Sequence, residues 1–150
     1  MEQSPKTLTF VVPAYNMETY LERCVESLLS ATDNSDIEVL IVDDGSSDST
    51  PELADMYERR WPGNVRAIHQ VNKGHGGAVN TGIANATGMY VKVVDADDWV
   101  DMPSIDTLMG TLRVQRVATD PVDMIVTNYV YDKVGKRVKH TVNFRHAMAT

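Results

Sequence analysis

Four short apolar runs, each closing on a polar or glycine-bearing cluster, alternate along this chain with segments of helical periodicity. They occupy residues 7–12, 37–42, 64–71 and 90–94. Strand–helix alternation of this kind builds a parallel sheet with helices on both faces. Parallel strands bring their C-terminal ends to one edge, and open α/β sheets bind their ligands there. Four clusters follow the runs: Pro13-Ala14-Tyr15-Asn16, Asp43-Asp44-Gly45-Ser46, Asn72-Lys73-Gly74-His75-Gly76-Gly77 and Asp95-Ala96-Asp97-Asp98. Though far apart in sequence, they are expected to meet.

The intervening segments carry their own signals. Pro13 should stop the first strand, and Asn16 should cap a helix whose stripe is Tyr20, Leu21, Cys24, Val25, Leu28 and Leu29. Thr50-Pro51-Glu52 opens a second helix with a cap, a proline at the first helical position and an acid at the positive end of the dipole. The glycine-rich turn leads into a third helix with Ala78, Gly82 and Ala86 on one face. A fourth helix runs from Pro103 to about Val117, with Ile105, Leu108, Met109 and Leu112 inward. Val122 to Tyr131 reads as a fifth strand and Lys133–Lys136 as a turn. Val138, His140, Val142 and Phe144 then alternate as in a half-buried strand. The expectation is a single α/β domain over 1–150.

Composition narrows the function classes. A net charge of −7 disfavours nucleic acid as a partner, because phosphate backbones select Lys and Arg. No apolar run approaches the roughly 20 residues of a membrane helix, and no signal peptide is visible. The single cysteine, Cys24, has no internal partner, which points to a reducing, cytoplasmic setting.

The chemistry sits in the clusters. Three carboxylates within Asp95–Asp98 repel one another unless a cation lies among them, and a hard divalent ion with oxygen ligands is the usual choice. Asp97 is the candidate direct ligand for Mg²⁺ or Mn²⁺, with Asp95 on the ion's water or a ribose hydroxyl. Capping of the next helix is the alternative. The apolar run before these acids reads as a buried strand. Asp43 could accept the imide N–H of uracil, and an Asx turn explains it equally well. Pro13, Ala14 and Tyr15 could bracket a base, Tyr15 by stacking, or could form a helix-entry loop. Lys73, Gly76 and Gly77 suit a phosphate cradle, although the glycines also suit close helix–sheet packing. No glycine follows the first strand, which counts against a dinucleotide site. His69, His75, His140 and His146 show no metal-ligand spacing.

Taken in order, Phe10–Asn16, Val42–Thr50, Asn72–Gly82 and Val94–Trp99 resemble the successive signatures of family 2 glycosyltransferases, over residues 7 to about 115. The resemblance implies a glycosyltransferase-A fold: a mostly parallel, Rossmann-like sheet that binds a nucleotide-diphosphate sugar, most often a UDP-sugar. It implies inverting transfer to a glycan or lipid-linked acceptor. It places Ala14, Tyr15 and Asp43 on the nucleoside, Lys73 and Gly77 near the base or diphosphate, and Asp95-Ala96-Asp97 as the Asp-x-Asp element with Asp97 on the metal. The general base has no counterpart in the matched region. Asp120, Asp123 and Asp132 are acids without a recognisable motif. The chain is therefore expected to be the nucleotide-binding part of a longer enzyme, which could act at the inner face of a membrane, with exposed apolar surface that invites a homodimer. A fragment that binds without turnover and a polyprenyl-phosphate glycosyltransferase are the alternatives.

Overall fold

The computed structural model describes residues 5–133 and 135–145 and divides into two compact units, 1–118 and 119–150. In the first unit, β1 (Leu8–Ala14), β2 (Ile37–Asp43), β3 (Val65–His69) and β4 (Tyr90–Val93) form one sheet in the order β3-β2-β1-β4. Every pairing in it is parallel. The helices between and after them are α1 (Leu21–Leu28), α2 (Thr50–Arg60), α3 (Gly74–Asn85) and α4 (Met102–Arg116). Every residue of β1 and β2 is buried, so helices cover both faces of the central strands. This is the α/β architecture expected from the alternation.

The strand order reverses beside β1. The chain steps from β1 to β2 to β3, then α3 carries it back across β2 and β1 to β4. The crevice at the carboxyl ends of β1 and β4 is thus a topological switch point, the usual ligand position in such sheets. The return requires α3 to lie close on the sheet. Ala78 packs with Val11, Val42 and Ile68, and a Cβ at Gly82 would run into the Val11 side chain.

Several local expectations are corrected. Pro13 does not end β1; it pairs with Val42 inside the ladder, which continues to Ala14 and Asp43. Val94 N–H donates to Val11 O at 2.9 Å, so residues 11 and 13 direct their backbone toward β4. That strand has ended by the level of Pro13, and the missing proline N–H forfeits no ladder bond. Asn16 caps no helix. It sits in the left-handed region (φ 52°), and α1 begins at Leu21 with Tyr20 outside it and exposed. Thr50 is the first residue of α2, and Asp48 Oδ1 accepts its N–H at 2.9 Å. β4 is an edge strand, not a buried one: Val91 and Val93 remain 42% and 37% exposed. Beyond residue 118, Val122–Asn128 forms no strand. β5 (Tyr129–Tyr131) and β6 (His140–Val142) make a two-stranded antiparallel sheet of their own, with Tyr129 and Tyr131 packed edge to face. Lys136 N–H donates to Lys133 O there, while Val134 and His146 lie outside the described residues.

The end of the sheet remote from the crevice is tied by a buried acid. Glu38 on β2 accepts from Thr9 Oγ1 (2.7 Å), Thr87 N (2.9 Å), Thr87 Oγ1 (3.0 Å) and Arg66 (3.1 Å). Burial alone would raise its pKa, but the hydrogen bonds from Thr9, Thr87 and Arg66 outweigh that and hold it below the usual value. A depressed carboxylate stabilises the fold above its ordinary pKa and loses that contribution as pH falls through the folded value. Urea unfolding of wild type is expected to weaken below about pH 4. Glu38→Ala should cost about 2 kcal/mol at neutral pH, because it leaves the buried Thr9 hydroxyl short of its acceptor and unties the exposed Thr87 and half-exposed Arg66, and should flatten part of that acid-side loss.

Candidate functional site

Three strand ends and one helix start build a cleft of about 350 Å³. Its walls include Pro13, Ala14 and Tyr15 from the end of β1, Asp44 after β2, and Asn72, Gly74, His75 and Ala78 around the start of α3. Asp95, Ala96 and Asp97 after β4 complete it. Of the residues singled out from sequence, the cleft brings together Pro13, Ala14, Tyr15, Asp95, Ala96 and Asp97. Asp43, Lys73, Gly76 and Gly77 are not among its lining residues: Asp43 is buried beneath it, and Lys73 and Gly76 are exposed beside it.

The β1 wall is braced by the loop before α2. Asn16 N–H donates to Ser46 Oγ (2.9 Å), Met17 N–H to Thr50 Oγ1 (2.8 Å) and Glu18 N–H to Asp48 Oδ2 (3.1 Å). In return Asn16 Oδ1 accepts from Ser47 N (2.9 Å) and Glu18 Oε2 from Ser49 N (3.0 Å). This mutual clasp leaves the ring of Tyr15 free to meet a planar ligand, 49% exposed beside the cleft.

The two acids after β2 do different jobs. Asp43 is buried with both oxygens engaged, Oδ1 by Ser46 N (3.0 Å) and Oδ2 by His69 Nδ1 (3.1 Å). Asp44 is the one that reaches the cleft. Its Oδ1 accepts from Gln70 Nε2 (2.7 Å) and Lys73 N (2.8 Å). Burial would raise the Asp44 pKa, but those bonds and one from the Gly74 amide keep it below the usual carboxylate range, so it is an anion at neutral pH. Lys73 contributes its backbone here, at the N-terminal boundary of α3. Gly77 packs so tightly on Lys73 that a Cβ would strike the lysine side chain, while Gly76 faces open space.

The acid turn after β4 alternates. Ala96 points inward at 2% exposed, whereas Asp95, Asp97 and Asp98 are exposed. Asp98 N–H closes the turn on Asp95 O at 2.9 Å. α1 grips it from behind. Cys24 Sγ donates to Asp95 O (3.7 Å), Ser27 Oγ accepts from Val100 N (3.1 Å), and the Arg23 guanidinium lies 3.4 Å from the centre of the Trp99 ring. Helix capping does not account for these acids, since Asp101 Oδ2 takes the Ser104 N–H at the start of α4.

The crowded carboxylates create a strong local field. Burial, then the charges of Asp97 and Asp95, raise the Asp98 pKa. Burial and the same three acids push the Cys24 thiol up to about 12, so it is unreactive. Among the described residues no three His, Cys, Asp or Glu side chains converge tightly enough to cage an ion alone. The donor set fits a cation that takes one or two carboxylate oxygens from the protein and the rest from water and a phosphorylated ligand. His75 Nε2 lies 3.7 Å from Asp95 Oδ1 on the facing wall.

The sequence placed Asp44, Asn72 and His75 in clusters expected to meet without singling them out; it gave no place in the cleft to Met17 and did not pair His69 with Asp43. Asp120, Asp123 and Asp132 belong to the second unit, where Asp132 pairs with Lys139 at 2.9 Å.

The geometry agrees with what the chain resembles. Residues 9–147 match the family model for glycosyl transferase family 2. Glycosyltransferase GlyG of Streptococcus pneumoniae is 40% identical over 128 residues, 84% of this chain and 40% of GlyG. The crystal structure of S. aureus TarS 1–349 superposes with a TM-score of 0.66 at 26% identity, over 73% of this chain and 33% of that one. That protein has also been solved with UDP and with UDP-GlcNAc. The mannosyltransferase PcManGT of Pyrobaculum calidifontis, solved with GDP-Man and Mn²⁺, gives 0.62 at 26% identity over 73% of this chain and 34% of that one. The chain spans 15% to 40% of the length of the curated relatives it matches. On sequence and on fold, the chain belongs to glycosyl transferase family 2.

Proposed function

We propose that this chain is the donor-binding part of a longer inverting glycosyltransferase, which holds a UDP-sugar with Mn²⁺ or Mg²⁺ and serves a glycan or lipid-linked acceptor. The observation that carries the reading is the meeting of Tyr15, Asp44 and the Asp95–Asp97 turn in one cleft at the sheet's switch point. The solved complexes of TarS with UDP and UDP-GlcNAc support a uridine donor. The PcManGT complex with Mn²⁺ supports a divalent ion.

In this reading Tyr15 stacks on the base, and Asp44, anionic and already oriented by Gln70 and Lys73, accepts the imide N–H. Asp43 supports the turn from behind. Lys73, Gly76 and Gly77 bring the amino end of α3 toward the diphosphate. Asp97, seconded by Asp95, holds the cation, whose contribution when bound is to neutralise charge on the departing diphosphate. The acids that line the cleft are thereby committed to base and metal, so the acceptor's general base comes from chain beyond this part. The free, buried Cys24 fits a cytoplasmic location.

Calorimetric titration with UDP, and with GDP as comparison, tests this. UDP should bind in the presence of Mn²⁺ or Mg²⁺ and bind tighter than GDP. Asp44→Ala should lower UDP affinity by about tenfold or more, since a desolvated, charge-assisted bond to the base is lost. No saturable UDP binding, or equal affinity for both nucleotides, would overturn the reading. With donor and acceptor glycans supplied, this chain alone is expected to give no transfer product.

A further inference from the structure

We propose that His69 is a positioning residue for the nucleotide: bridged between Asp43 and Asp55, its imidazolium fixes the end of β2 so that Asp44 presents its carboxylate to the cleft. The proposal rests on the uridine-nucleotide reading above.

His69 is the last residue of β3. Its Nδ1 lies 3.1 Å from Asp43 Oδ2 on β2, and its Nε2 lies 3.0 Å from Asp55 Oδ1 on α2. Only the charged ring can donate to both. A neutral imidazole has one N–H and one lone pair, and the lone pair would face a carboxylate. Two acids thus select the imidazolium. The hydrogen bonds to Asp43 first and Asp55 second raise the His69 pKa against the opposing effect of burial. The ring is 42% exposed, so solvent reaches it.

The clamp reaches the cleft in two short steps. Asp43 Oδ1 holds Ser46 N, and Asp43 O accepts from Gln70 N at 3.0 Å. Gln70, next to His69, holds Asp44 Oδ1 and is itself held by Thr81 Oγ1 at 2.6 Å. His69 and Gln70 together grip the consecutive acids from β3. Gly45 leaves the turn little room to shift: it has φ 76°, and a Cβ there would sit 3.0 Å from Asn72 N. Other charged groups near the clamp are Asp44 on the same turn, Glu58 on α2, which accepts Ala67 N at 3.2 Å, and Lys73 at the start of α3.

The sign follows from linkage. Protonation that orders Asp44 favours nucleotide, and bound nucleotide must raise the His69 pKa by the same factor. UDP affinity should fall as pH rises through that pKa, by about fivefold or more.

The test is UDP calorimetry with Mg²⁺ from about pH 5.5 to pH 8.5, joined to NMR titration of the His69 ring with and without UDP. Wild type should weaken with rising pH, and His69→Gln should lack that part of the profile. Asp55→Asn, far from the cleft and able to keep the Asp43 bond, should move the profile to lower pH. It also serves if His69→Gln fails a thermal-melt check of folding. Titration of UDP itself is common to all variants and cancels in the comparison. A His69 pKa unmoved by UDP, or unchanged profiles in both variants, overturns the clamp while leaving the nucleotide reading intact. Absence of UDP binding by wild type at every pH overturns both.

Discussion

Asp97→Ala is expected to change UDP affinity in opposite directions with and without metal. With Mn²⁺ present the loss should be about tenfold or more, the scale on which a metal site responds to loss of a supporting group. With EDTA present the variant should bind UDP more tightly than wild type. Asp95, Asp97 and Asp98 crowd one turn, and Asp95 and Asp97 line the cleft, so without a cation they repel a diphosphate. Two unit charges 4 Å apart interact by about 1 kcal/mol in bulk water and by more beside a low-dielectric wall, so removing one anion should give a severalfold gain. The same change should bring the Asp98 pKa down toward its ordinary value, because Asp97 is one of the charges that raise it. Calorimetry in the two buffers decides the matter. A variant that loses affinity equally in both has lost structure, and one unchanged in both shows that Asp97 never met the ion.

How far these roles could be read from sequence depends on the kind of information each needs. Alternation of strand and helix patterns gave the parallel sheet, and topology then gathered Tyr15, Asp97 and the glycine turn without any knowledge of side-chain contacts. Choosing between Asp43 and Asp44 needs strand parity. Val42 faces α3 in the packed cluster, so the side chain two residues on shares that face while Asp43 turns away toward His69 and α2. The small residues of α3 mark which face the helix covers, and that signal was present in Ala78 and Gly82. His69 and His75 have no legible spacing because their partners come from other elements. Val122–Asn128 has the apolar content of a strand but is not one among the described residues. Pairing is a property of neighbours, and pattern alone does not supply one. Pro13 misled for the same reason: whether its absent N–H matters depends on where β4 stops.

Gly82→Ala and Gly110→Ala should move stability in opposite directions although both place alanine inside a helix. Alanine is favoured over glycine by about 1 kcal/mol in a helix interior. At Gly110 on α4 a Cβ meets nothing within 4 Å, so that gain should appear nearly whole. At Gly82 a Cβ overlaps Val11 Cγ1 and comes within 3.0 Å of Cγ2 and 3.1 Å of the Val11 Cβ. Val11 is fully buried at the centre of β1 and cannot yield. α3 must lift off the sheet instead, at an overpacking cost of about 2–3 kcal/mol that outweighs the propensity gain. Urea midpoints should therefore rise for Gly110→Ala and fall for Gly82→Ala, with unchanged slopes in both. Adding Val11→Ala to Gly82→Ala should recover part of the loss, and the double-mutant cycle should show a coupling of about 1 kcal/mol or more between the two sites. The displacement should also reach the nucleotide, because α3 carries Gly74, His75 and Ala78 in the cleft wall. If Gly82→Ala were as stable as wild type and bound UDP normally, α3 would not lie against β1 as closely as the return to β4 demands.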